Sequence, residues 1–158
     1  MLFNAAALLP VVIAFAGVQA AAEAIPCKLV NVGSNATAFT FDANGNGNDT
    51  DVLLSMDTMA NEDWSMWDVP HSESRILVNS GTGQWLTVYR ADNHLITSNN
   101  GPTQFAVTDT TDGQFTIGLP DQTDKAFEAV FDGTAGKYGK IILISVDEGS
   151  PYQRWTCN

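Results

Sequence analysis

Positive charge is scarce in this 158-residue chain: seven Lys and Arg stand against eighteen Asp and Glu, a net charge of −11. That balance repels phosphate backbones and anionic lipid headgroups, so neither nucleic acid nor a membrane surface is an expected partner. Histidine is rarer still, with only His71 and His94, and there are only two cysteines. No metal-spaced His/Cys cluster, Gly-x-Ser-x-Gly elbow or phosphate-cradling glycine loop can be found. The sequence therefore disfavours an enzyme and calls for no cofactor, although its many acids leave a paired-carboxylate hydrolase open. Long helical periodicity is also missing, and only one hydrophobic run approaches membrane length.

That run lies at the start. Residues 5–18 are almost unbroken apolar sequence, followed by Val18-Gln19-Ala20, which puts small residues where a signal peptidase cuts. Residues 1–20 are read as a cleaved signal peptide and the protein as secreted. Residues 21–158 have the size of one domain with room for a core. In an oxidising compartment Cys27 and Cys157 read as one disulfide, which requires the two ends of the domain to lie side by side. Asn35-Ala36-Thr37 and Asn48-Asp49-Thr50 are N-glycosylation sequons, which place Asn35 and Asn48 on exposed loops.

Short period-two apolar runs separated by Gly, Asn, Asp and Ser clusters fill the rest, so the fold class is all-β with about twelve strands. Residues 126–131 could equally be a helical turn, and 152–157 is read as the last strand. In groups of four the strands repeat, over about 27–70, 73–111 and 114–158. Each unit has an apolar strand, a polar turn and a strand with alternating apolar residues: Phe39/Phe41, Leu86/Val88 and Phe127/Ala129. Each closes on an aromatic: Trp64, Phe105 and Trp155. Four short strands cannot bury their own apolar face, so three units must pack about a shared axis. The closing aromatics are expected in that core, with Met56, Met59 and Met66 as packing material.

This pattern resembles the β-trefoil family, and within it the ricin B-like lectins, whose repeats close on Gln-x-Trp. Gln153-Arg154-Trp155 is the best match, and Leu77-Val78-Asn79-Ser80-Gly81 leading into Trp85-Leu86-Thr87-Val88 is next. Glu62-Asp63-Trp64 and Thr103-Gln104-Phe105 are degenerate versions of the closing motif. The resemblance implies a secreted, non-catalytic carbohydrate-binding protein made of three four-stranded repeats. Sugar binding in that family uses an acid on the second strand of a repeat, an aromatic platform on the third and a polar residue near the closing motif. The acid aligns with Thr40, Thr87 and Glu128, so only the third repeat keeps a carboxylate. The third strands carry no aromatic. The resemblance thus puts the carbohydrate site on Glu128 and Gln153, with Tyr138 as a substitute ring.

Other readings stay open. Trefoil scaffolds also serve as protease inhibitors or protein-binding effectors, acting through loops such as 44–51 and 119–124. Asp42, Asn44 and Asn46, with Asp51, fit half a calcium loop, but Leu53 stands where a bidentate Glu is required. A polar hairpin loop is the better reading and no metal is assigned, with a weak calcium site on those four residues left open. The expected partners are glycans or a secreted protein.

Overall fold

The structure, a computed structural model, describes residues 23–41, 49–131 and 138–158. The proposed signal peptide, Asn48 and the Asp42–Asn44–Asn46 stretch lie outside the described residues. Twelve strands form: β1 (Ile25–Asn31), β2 (Thr37–Thr40), β3 (Thr50–Ser55), β4 (Asp63–Asp68), β5 (Ser74–Asn79), β6 (Trp85–Tyr89), β7 (His94–Ser98), β8 (Phe105–Asp109), β9 (Phe115–Gly118), β10 (Lys125–Val130), β11 (Gly139–Ser145) and β12 (Trp155–Cys157). The ambiguous AFEAVF run is strand β10. The expected last strand is shorter than read, because Pro151–Gln153 form a 3-10 turn ahead of Trp155.

Two closed systems share these strands. β1, β4, β5, β8, β9 and β12 pair in a ring, β12 returning to β1, and so make a six-stranded antiparallel barrel. The hairpins β2–β3, β6–β7 and β10–β11 meet one another through β3–β7, β7–β11 and β11–β3 and cap one end. Each repeat contributes two barrel strands and one hairpin, so each ring closes on the other repeats. This is the architecture of a β-trefoil. Ring closure leaves the barrel without an edge strand.

The core forms where the three repeats converge. Trp64, Phe105 and Trp155 are each at most 1% exposed, as expected of the closing aromatics. The Trp64 indole N–H donates to the Ala38 carbonyl at 3.0 Å, and that of Trp155 to the Phe127 carbonyl at 3.2 Å. Phe105 has no such donor. The backbone N–H of Thr103 reaches the matching Leu86 carbonyl instead, at 3.4 Å. Ala38, Leu86 and Phe127 are therefore equivalent, and their volumes differ greatly. The large Phe127 packs edge-on against Phe105, the smallest of the closing rings, with centroids 5.9 Å apart. Volume lost in one repeat is recovered from another, keeping the shared core filled.

Of the methionines, Met66 is buried as expected, but Met56 is 72% exposed and contributes nothing to the core. Cys27 and Cys157 form the expected disulfide, with Cα atoms 4.9 Å apart.

Candidate functional site

The equivalence of the repeats fixes which side chains share a role. At the first turn of repeats one and two stand Asn31 and Asn79, both fully buried. Each folds its side-chain oxygen onto the turn that follows: Asn31 accepts from the Ser34 N–H, and Asn79 from those of Gly81 and Thr82. Each amide donates backward to the closing segment of the preceding repeat. Asn31 binds the carbonyls of Tyr152 and Arg154, at 2.8 and 3.1 Å, and Asn79 that of Asn61 at 2.8 Å. These straps define three junctions, each built from a second strand, the closing segment of the same repeat and the first turn of the next. In the third junction Leu119 stands in place of the asparagine.

The junction between repeats three and one is a hollow of about 510 Å³. Glu128, on β10, lines it. Gln153 sits just before Trp155 and is 2% exposed. Its amide donates to the Glu128 carboxylate at 3.0 Å and to the Ser145 carbonyl at 2.9 Å, while its oxygen accepts from the Asp147 N–H at 2.8 Å. Every polar atom of Gln153 is thus committed inside the protein. Gln153 itself does not line the hollow, and it is hydrogen-bonded to the Glu128 carboxylate that does.

Tyr138 is placed elsewhere. Its ring packs edge-on against Phe39 and Phe41, at centroid distances of 5.2 and 5.9 Å, and does not line the hollow. The rings that flank Glu128 are Tyr152 and Phe131, 44% and 38% exposed, with Met56 at the rim. Tyr152 stands three residues before Trp155, in the 3-10 turn, and leans on Gly33. Counting back from the closing tryptophan could have found it. Phe131 lies over Gly139, where a Cβ would come within 2.7 Å of its ring. A half-buried carboxylate between exposed aromatic rings can accept hydroxyl hydrogens while the rings cover apolar C–H faces.

The other junctions differ. The strand register makes Phe39, not Thr40, the counterpart of Thr87 and Glu128: Val30 pairs with Thr37 as Val78 pairs with Trp85. The expected alignment was one residue out in repeat one. Phe39 is buried, Asn61 takes the place of Tyr152 and abuts Gly81, and Glu62 takes the place of Gln153. Glu62 pairs with Lys28 and accepts from the Met59 N–H at 3.2 Å. That bond to Lys28 holds the Glu62 carboxyl below its ordinary value of 4.5 against the opposing cost of burial. In repeat two, Thr87 and Thr103 stand where Glu128 and Gln153 do, and they share a hydrogen bond. They line a second hollow, of about 600 Å³.

Of the remaining candidates, Asn35 is exposed at the turn that ends beside this first hollow, with φ 55°. Asp51, the described member of the possible calcium loop, contacts His94 Nε2 at 3.0 Å. Among the described residues no group of three or more His, Cys, Asp and Glu is placed to hold a metal ion.

No family model and no curated protein matches the chain in sequence. Solved structures do match its shape. The Rhizoctonia solani agglutinin superposes with a TM-score of 0.68 at 14% identity, over 85% of this chain and 94% of its own. A Macrolepiota procera ricin B-like lectin, solved in complex with lactose, gives 0.65 at 19%, over 85% and 94%. The designed threefold-symmetric protein ThreeFoil gives 0.66 at 19%, over 84% and 96%. At such identities the likeness shows the fold alone, and that fold is the β-trefoil.

Proposed function

We propose that the protein is a secreted, non-catalytic carbohydrate-binding protein whose working site is the hollow between repeats three and one. Glu128 accepts sugar hydroxyls, Gln153 holds its carboxylate in place, and Tyr152 and Phe131 pack against the sugar's C–H faces. The observation that carries this reading is the Gln153–Glu128 hydrogen bond beneath two exposed rings. The similarity of the fold to lectins, one of them solved with lactose, supports it.

The test is a broad glycan array probed with purified 21–158, followed by calorimetric titration of the best glycan into wild type and Glu128→Gln. The amide can still accept from Gln153, so the fold is retained. Losing charge-assisted hydrogen bonds should weaken binding by about ten- to a hundredfold. Binding that ignores the substitution would move the site, and a blank array would remove the reading.

A protein-binding role is the second reading, favoured by Phe41 and Met56, whose apolar side chains are 46% and 72% exposed. The 119–124 loop is less suited to entering a protease cleft. A backbone bridge pairs Leu119 with Gln122, and Lys125 N–H donates to the Gln122 carbonyl, which folds the segment tightly onto itself.

A further inference from the structure

The hollow between repeats two and three has the same framework as the Glu128 site but different chemistry. At the two places where repeat three puts Glu128 and Gln153 it carries Thr87 and Thr103, whose hydroxyls bond each other. No carboxylate therefore rises from its second strand. Three residues after Thr87, just past the end of that strand and where repeat three has Phe131, stands Arg90, which is exposed and makes no ion pair among the described residues. In the place of Gly33 stands Asp121, which also lines the hollow and likewise has no ion-pair partner among the described residues. Arg90 and Asp121 line one cavity of about 600 Å³ and form no ion pair with each other. Pro102 and Pro120 supply rigid apolar surface on its walls.

A ligand that satisfies this lining needs a planar anion for the guanidinium, donor hydroxyls for Asp121 and a flat C–H surface for the prolines. A guanidinium is suited to a carboxylate because its N–H fork matches the two oxygens. We propose that this hollow is a second binding site, selective for a sugar that carries a carboxylate, such as a uronic or sialic acid. Its carboxylate lies on Arg90, its hydroxyls donate to Asp121, and the Thr87 and Thr103 hydroxyls turn toward the ring oxygens. The inference rests on reading the inter-repeat hollows as sugar sites. It adds that two adjacent junctions take chemically different sugars, because the residue facing the ligand has changed from Glu128 to Thr87 and from Phe131 to Arg90.

The test uses ¹⁵N-labelled 21–158 titrated with D-glucuronic acid and with N-acetylneuraminic acid, with D-glucose as the neutral control. Amide shifts report each hollow separately. Saturable shifts within 87–93 and 119–122 from at least one acid sugar, and none from glucose, are expected. Arg90→Gln should weaken that binding tenfold or more, with Arg90→Lys intermediate because it keeps the charge and loses the fork. Arg90 is exposed and takes no part in the core, so both variants should fold, which their unligated spectra verify. No shifts at 87–93 from either acid, equal binding of glucose there, or binding that survives Arg90→Gln would each overturn the proposal. These outcomes hold whatever neutral glycans do at 128–131, so failure of the Glu128 site is read independently.

Discussion

A side chain at position 33 would stand 2.8 Å from Cδ1 of Tyr152 and 2.9 Å from its backbone nitrogen. Gly33 also donates its N–H to the Pro151 carbonyl at 2.9 Å, so the turn cannot simply swing away. The glycine is required by the approach of the ring, not by its own backbone angles. Gly33→Ala should push Tyr152 out of the hollow and cost about 1–3 kcal/mol of stability, as overpacking does. Glycan affinity at the Glu128 site should fall several-fold, read by calorimetry beside a thermal melt. An unchanged affinity with an unmoved melting temperature would mean that Tyr152 has room to yield and sets no part of the site. The same position in repeat two's first turn, Gly81, serves a different neighbour: a Cβ there would meet the Asn61 side chain at 2.2 Å. One glycine thus shapes an open hollow and its counterpart closes against an asparagine.

At the scale of strands, the clamp between β1 and β4 shows how a lost motif is reused. Glu62 occupies the position of Gln153 but turns to Lys28, and the two strands it joins already pair from Ile25↔Met66 to Lys28↔Asp63. The hydrogen bond to Lys28 lowers the carboxyl's pKa on folding, and the same bond raises the lysine's above 10.5. A lowered carboxyl contributes stability above its unfolded value that is lost as pH falls through the folded one. The raised ammonium contributes below its unfolded value and loses it as pH rises through the folded one. Stability should therefore decline below about pH 4.5, and Glu62→Gln should flatten that acid limb in melts between pH 2 and 7. An acid limb unchanged by the substitution would place its cause in other carboxylates. The strands themselves were legible because period-two alternation survives wherever one face is wet, as in β4 with Trp64 and Met66 inward. It fails in β2, where Ala38, Phe39 and Thr40 are all buried. With no polar face to mark the register, Thr40 rather than Phe39 aligned with Glu128. Glu128 and Gln153 were legible as neighbours because the resemblance puts one on the second strand and the other in the closing motif, and the structure joins them by a hydrogen bond. Tyr152 and Phe131 did not stand out over Tyr138, since Tyr152 is set by its packing on Gly33, far away in the chain, and Phe131 by lying over Gly139 across the β10–β11 hairpin, and period-two patterning marks neither contact.

For the whole molecule the decisive contact is the one that closes the ring. β12 returns to β1 through Leu29↔Cys157, Val30↔Thr156 and Asn31↔Trp155, and Lys28 and Asn158 exchange backbone hydrogen bonds at 2.9 and 3.1 Å. The barrel therefore closes by backbone pairing alone, and the Cys27–Cys157 bond lies beside that closure rather than replacing it. Across a separation of 130 residues, the chain-entropy account gives the cross-link about 5 kcal/mol, acting on the unfolded chain. The folded state should survive its loss because Leu29, Trp155 and the pairing around them remain. Reduction, or a Cys27→Ser/Cys157→Ser variant, should then lower the melting temperature by on the order of 10–20 °C while the native spectrum persists at 25 °C. Glycan binding at the Glu128 hollow should be retained in the reduced protein, because Ser34 and Tyr152 are held by Asn31, and Gly33 by the Pro151 carbonyl, rather than by the sulfur bridge. Loss of the native spectrum on reduction at 25 °C would instead make the disulfide the element that closes the barrel. An unmoved melting temperature would show that the two ends stay together in the unfolded chain without it.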